Sequence, residues 1–508
     1  MACAGGGSSR LTWPGSACIL KHGGAGRGMR LGHRDADSPM SSRLPRLHSE
    51  SKLAALLLVC LLVAYSWPRD LDLGPNINAH LSQALAIAVD GTLAIDNYAR
   101  SSFTYTIDWS LAPNGHLYPA KAPGCALVLA PVVWAFSSVE RLIGVDPLSG
   151  GSIWRKAILA NWLLNAWPSA VCMVLLFRLS RSLGMSLAAA LAGTTAVALG
   201  TAYYPFATAF YAHAPAANLI IVAAVIIFRR TGPRWLDALA GAAAGFAVVF
   251  DYPAAIAVVT CGLSLLLLRP GAVVYFIAGG LLPLAVLLTY HAATLGSPLA
   301  TPYDFQNPVF RLPAGGPFGG PDLRVLIALL FSPFRGLLFY SPVVVSALPG
   351  AIALWRGANK DSDAMRGRIY VLLAAATLFA WLLLNSSYFT WHGGYTTGPR
   401  FLVPAGVLLG PLIASGWSRL PVLTSCLLAV SSVNQLAIAT VWLQVPDTYT
   451  NPLVEVVYPR FLAGDYVRGN LGMRFGLTGL WSISPVVITL GLALLTAVRI
   501  LRAKDTVH

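Results

Sequence analysis

The sequence predicts an all-α polytopic membrane protein. The expected architecture is a bundle of about 12 transmembrane helices (13 in the alternative), with a large first extracytoplasmic loop carrying amphipathic or interfacial helices. Three observations predict it. Of 508 residues, 56% are hydrophobic and 11% charged, with a mean hydropathy of +0.66, whereas a soluble domain carries about 25% charged residues. So few polar side chains cannot cover a chain of this size. Apolar runs of spanning or near-spanning length recur along it. Finally, Lys and Arg concentrate in the short connections on one side of those runs.

Residues 1–52 form a basic cytoplasmic tail, rich in Gly, Ser, Arg and His and lacking apolar periodicity, which reads as disordered. The run 53–67 is the first span; it continues into Trp67-Pro68-Arg69-Asp70 and reads as uncleaved. Residues 68–154 form the first outer loop. Within it, NINAHLSQALAIAVDG (76–91) has the spacing of an amphipathic surface helix. The core, 155–420, holds apolar runs near 155–178, 185–202, 212–228, 235–251, 254–268, 272–291, 341–355, 369–386 and 401–416. The C-terminal part, 421–508, adds 422–441 and 480–498 around an outer loop at 442–479. The remaining outer segments are 292–340 and 387–400.

The run 122–142 is ambiguous. It contains Pro123 and Pro131 and ends in Ser137-Ser138-Val139-Glu140-Arg141, which suits a helix at the interface. Left out of the count, it places 22 of the 35 Lys and Arg on the inner side with both termini inside; counted as crossing, it inverts every later loop and the bias is lost.

Several chemistries are excluded. There is no Walker-type loop, Gly-rich dinucleotide fingerprint or G-x-S-x-G motif. The seven cysteines show no CxxC and no zinc-ligand spacing with His. No metal cluster stands out, although one divalent ion in an outer loop remains compatible with the sequence. The net charge of +15 is accounted for by membrane orientation, so nucleic acid is not an expected partner.

The residues able to carry chemistry lie at outer span ends. Asp70 and Asp72, just after the first span, are carboxylates half-removed from water, suited to taking a proton from a hydroxyl nucleophile. NGHLYPAKAPG (114–124) fences Lys121 between Pro119 and Pro123, beside His116 and Tyr118, ahead of a helix start where anions bind. Snorkelling towards lipid headgroups is the plain alternative. His213 follows Tyr203, Tyr204 and Tyr211, which read as belt aromatics. Asp251 reads as the N-cap of the next span. In HGGYTTGPRFLVPA (392–405), glycines and a proline bring the chain close around Arg400, whose forked donors suit phosphate oxygens. Arg335 in FSPFRGLLFYSP repeats the idea less specifically.

The order of these features resembles the GT-C superfamily of membrane glycosyltransferases, in the branch of protein O-mannosyltransferases and lipid A aminoarabinose transferases. A basic N-terminus, one span and an acidic outer loop are followed by N-G-x-x-Y-x-x-K-x-P and, after many spans, PRFLVP. The resemblance covers about residues 53–420. It implies a GT-C-like bundle in the inner or plasma membrane with its active site on the extracytoplasmic side. It also implies a polyprenyl-phosphate-linked sugar as donor, and a lipid, glycan or protein as acceptor. By the same resemblance Lys121 and Arg400 contact the donor phosphate, with Tyr118, His116 and His213 nearby. Relatives often carry an aspartate near the position of His213. They show Asp-Glu at the head of the helix after the first span; here Pro75-Asn76 stands there, so the expected base is Asp72, then Asp70, with Asp96 third. The expected reaction is an inverting transfer of a hexosyl or pentosyl group. The rival from another class is a transporter or flippase, which calls for ionisable residues near mid-membrane.

Overall fold

The structure is a computed structural model and describes residues 43–69, 73–312, 316–357 and 362–505. The chain divides into two units, Met1–Leu47 and His48–His508; the description that follows is of the second. The expected disordered tail falls largely outside the described residues. Its last part, from Arg43, is helical and continues to Ser66 as one helix.

All twelve apolar runs form helices. Among the described residues, eight helices are long and apolar enough to cross a membrane, and five shorter apolar helices have 10–17 residues. This is an integral membrane protein. The ambiguous run is one of the eight, as Gly124–Leu142. At its C-terminal end Val139, Arg141 and Leu142 are exposed, while Glu140 is buried and ion-paired to Lys156 at 2.6 Å and to Arg155 at 2.9 Å.

The 76–91 segment departs from expectation. It is the helix Pro75–Leu85 followed by a π-type turn, and every residue from Ile77 to Ala86 is buried. It is not a surface helix: several of its polar groups find partners inside the protein, while Asn78 Oδ1 and His80 Nδ1 are buried without one. Asn78 donates to the carbonyls of Leu73 and Tyr105, Ser82 to that of Thr104, and Gln83 to the Tyr290 hydroxyl at 2.6 Å. Buried amides and hydroxyls so bonded avoid the desolvation cost that makes polar faces stay in water.

The four segments expected on the outer side are stitched together by backbone hydrogen bonds. Asn307 donates to Trp109, Gly319 to Ser387, Thr396 to Val445, and Leu471 to Trp67. Pro68–Arg69 also pairs antiparallel with Gly469–Asn470. The expected inner loops gather separately, where Asp237 holds Arg229 at 2.8 Å and Arg269 at 2.9 Å. Close helix crossings set the frame. A Cβ on Gly241 would lie 1.8 Å from the Phe276 carbonyl oxygen, and one on Gly279 would lie 1.8 Å from that of Ala238. The helices Trp235–Phe250 and Val273–Leu295 therefore touch through their backbones, as small-residue membrane interfaces do.

Candidate active site

The first element of the site is a hairpin. Trp109–Leu111 pairs antiparallel with Leu117–Pro119. The connection turns at Pro113-Asn114-Gly115, with Gly115 at φ +83 and its N–H on the Ala112 carbonyl. A short loop ending in a left-handed glycine suits the twist of paired strands. The register sets Asp108 opposite Ala120, whose N–H donates to the Asp108 carbonyl at 2.9 Å. Asp108 and Lys121 therefore meet at the open end of the hairpin, Nζ to Oδ2 at 3.1 Å. Beyond Lys121 the chain enters the helix Gly124–Leu142. A Cβ on Gly124 would sit 2.7 Å from the Val249 carbonyl oxygen, so the lysine loop is pressed against the end of Trp235–Phe250.

That end carries Asp251. Its carboxylate does not cap the following turn, contrary to the sequence expectation; it reaches His213 Nδ1 at 2.7 Å. His213 begins the helix His213–Ile227 and is held on its ring faces and edges by Tyr211, Phe206 and Phe401. The corner before it is secured from below. Asn161 donates to the Thr208 carbonyl and Asn165 to those of Phe206 and Tyr211, both from a π-type turn inside Gly150–Ser182. π-bulges commonly mark functional regions.

Arg400 enters from the 387–400 segment. Gly393 lies beneath it at φ +79, and a Cβ there would come within 2.9 Å of Arg400 Nε. Only glycine suits both the backbone conformation and the approach. The guanidinium packs over the Phe401 ring at 4.9 Å, and its Nε is buried with no hydrogen-bond partner.

These groups line one cavity of about 120 Å³, with Asp108, Lys121, His213, Asp251 and Arg400 in its wall. Asn76, His80, Tyr303, Gln306 and Asn385 add polar groups, and Phe318, Trp381 and Tyr388 add apolar surface. The charged members sit at or beside helix ends, at the margin of the apolar bundle. Burial, with a further contribution from Lys121, pulls the His80 imidazole down to about 3, so it is neutral near pH 7; its Nδ1 is buried without a partner. Burial pushes the Tyr303 phenol well up, keeping it a donor. Gln306 Oε1 and Asn385 Nδ2 also lack partners. Buried polar atoms are rarely left unpaired; His80, Gln306, Asn385 and Arg400 each leave one in residues of this lining. Among the described residues no three His, Cys, Asp or Glu side chains group as a metal-ligand set.

The structure thus brings Lys121, His213 and Arg400 together. It places two other expected site residues elsewhere. His116 is exposed on the hairpin and pairs with Asp96 at 3.1 Å, and Tyr118 packs behind the hairpin with its hydroxyl accepting from Asn114 Nδ2. Neither lines the cavity, because alternation along Leu117–Pro119 and the turn geometry direct them away from Lys121. Asp96, tied to His116 and to the Leu117 N–H, braces the same hairpin. Asp70 and Asp72 lie outside the described residues; Asn76, a few residues on, lines the cavity. Sequence reasoning missed Asp108 and His80. The Asn-Gly turn between two short apolar–polar alternations was the available signal for the first.

No family model and no curated protein matches the chain. One solved structure to which it is similar is the crystal structure of ArnT from Cupriavidus metallidurans bound to undecaprenyl phosphate. The two share 15% sequence identity, covering 89% of this chain and 76% of that one, with a TM-score of 0.46.

Proposed function

We propose that the protein is a glycosyltransferase of the GT-C type that moves a sugar from a polyprenyl-phosphate donor to an acceptor on the extracytoplasmic side. The observation that carries this reading is the cavity itself. Lys121 and Arg400 come from distant parts of the chain to one wall at the margin of the bundle, and the Arg400 Nε is unsatisfied. A lipid-linked phosphate is anchored at this depth by its hydrocarbon tail, so the membrane supplies part of the positioning.

The reaction is an inverting displacement. Asp72, or failing it Asp70, takes the proton of the acceptor hydroxyl. The oxygen bonds to the anomeric carbon as the bond from that carbon to the phosphate oxygen breaks, and the electron pair leaves on the phosphate. Negative charge grows on that oxygen, where Lys121 and Arg400 stabilise it; removal of one such donor from a preorganised site typically costs about 10²–10³ in rate. Asp108 orients the lysine. Tyr303 and the unpartnered amides of Gln306 and Asn385 suit hydroxyls of the transferred sugar, whether hexosyl or pentosyl.

The test uses purified protein and a polyprenyl phosphate carrying a radiolabelled sugar. Lys121→Ala should lose at least 100-fold in transfer, and Asp72→Asn should abolish transfer while still being photolabelled by a donor analogue. Retention of near-normal activity by both variants refutes the assignment. Protein-dependent movement of the intact donor across vesicles, with no transfer, establishes the flippase reading instead.

A further inference from the structure

A second opening adjoins the charged cavity. It is a groove of about 460 Å³, and its lining residues alternate in sequence with those of the cavity at two places. Gly74, Pro75 and Asn78 line the groove while Asn76 lines the cavity; Tyr395 lines the groove while Gly394 lines the cavity. The N-terminus of the Pro75–Leu85 helix and the glycine loop under Arg400 are therefore the partition between them.

The groove's chemistry is opposite in character. Among the described residues its lining has no charged side chain. Phe103, Tyr105, Trp154, Tyr395 and Trp442 present aromatic surface, and Phe103, Tyr105 and Tyr395 are each about half exposed (51–55%). Interspersed are amides and a hydroxyl from Asn78, Gln444 and Ser102. Asn78 is 4% exposed, and its Nδ2 makes both side-chain hydrogen bonds, to the Leu73 and Tyr105 carbonyls; its Oδ1 is buried with no partner. The Trp442 indole N–H is likewise buried and unpaired. One unpaired acceptor and one unpaired donor thus lie buried within residues that line the groove.

We propose that this groove binds the acceptor, and that the acceptor is a saccharide. The inference rests on the glycosyltransferase reading and adds the acceptor class to it. A pyranose or furanose offers apolar C–H faces that stack on aromatic rings and an edge of hydroxyls, each both donor and acceptor, that match the unpaired Asn78 and Trp442 atoms. Tyr and Trp are suited to such mixed surfaces. A phospholipid phosphate finds no charged side chain in the described lining; Arg460, which packs over the Trp442 ring at 5.6 Å, is not part of it. An acceptor seated here lies beside the donor cavity, next to the Gly74–Asn76 segment that borders both.

The experiment supplies the purified protein with radiolabelled polyprenyl-phosphate sugar and a cell-envelope fraction as the acceptor source. Label is then sorted by protease digestion, organic-solvent extraction and periodate cleavage. A saccharide acceptor leaves the label in a protease-resistant, non-extractable, periodate-sensitive product. Tyr105→Ala and Tyr395→Ala should each raise the KM for that acceptor at least 10-fold. Donor photolabelling should stay unchanged, and Tyr→Phe at either position should restore most of the affinity. Label released by protease or extracted into solvent overturns the proposal, as does an unchanged acceptor KM in both alanine variants. If the wild-type protein transfers no sugar at all, the parent reading fails, and this one with it.

Discussion

Two arginines in outer segments look alike in sequence and differ in what surrounds them. Phe334-Arg335-Gly336 and Pro399-Arg400-Phe401 both sit beside glycine, proline and aromatic residues ahead of an apolar helix. Arg335 is completely buried, stacked 3.9 Å from the Phe334 ring centroid, and its donors go to the carbonyls of His392, Phe334 and Gly394. Burial pulls its guanidinium down to about 10. Arg400 has an unpaired Nε and faces the cavity. A buried cation whose donors are taken up by carbonyls is a clasp; one with donors left over is available to an anion. The clasp also holds the Gly393-Gly394 loop on which the second arginine lies, so the two are linked in series.

The sharpest break between them is by substitution. Arg400→Gln should reduce transfer by at least 100-fold with little change in thermal midpoint. Arg335→Gln should lower the midpoint first, because it removes charge-assisted hydrogen bonds worth about 1.5–3 kcal/mol each. Light-scattering thermal melts beside transfer assays measure both; an Arg400 variant that is unstable but active collapses the distinction. A smaller effect is expected at the link. Gly393→Ala places a Cβ 2.9 Å from Arg400 Nε at φ +79, a strain of about 1–2 kcal/mol. Activity should fall about 10-fold, with the KM for donor rising as the guanidinium is displaced.

The smallest expected effect concerns His80, which like Arg400 has an unpartnered nitrogen in the cavity wall. Its folded pKa of about 3 lies below the ordinary histidine value of about 6.5. Between these values the unfolded chain binds the proton more readily, so stability is complete above about pH 6.5 and declines as pH falls towards 3. His80→Gln should flatten that part of the stability–pH curve without altering the midpoint at pH 8 by more than a few degrees. A slope identical to wild type shows that other groups carry the acid sensitivity.

Much of the fold was legible along the chain. The twelve apolar runs are helices because a segment surrounded by hydrocarbon must satisfy its own backbone, whatever it packs against. The fenced positions of Lys121 and Arg400 were legible because proline and glycine mark constrained backbone locally. The partners were not. Asp251 has the look of a cap from its neighbours Tyr252 and Pro253, yet it serves a histidine 38 positions away. Asp108 was one acid among seven in its loop until the hairpin register set it beside Lys121. His116 and Tyr118, adjacent to the lysine in sequence, point elsewhere because successive strand residues face opposite sides.

The amino-acid sequence determined by itself that this chain is a membrane-embedded helical protein with cations held at one margin, since hydropathy, charge asymmetry and backbone-restricting residues act over short distances. Tertiary structure alone decided which cations are free and which are spent, which carboxylates meet them, and that a charged cavity and an uncharged aromatic groove share one partition. Those outcomes depend on hydrogen bonds and ion pairs between residues far apart in the chain, and no local pattern encodes which distant group will arrive to complete them.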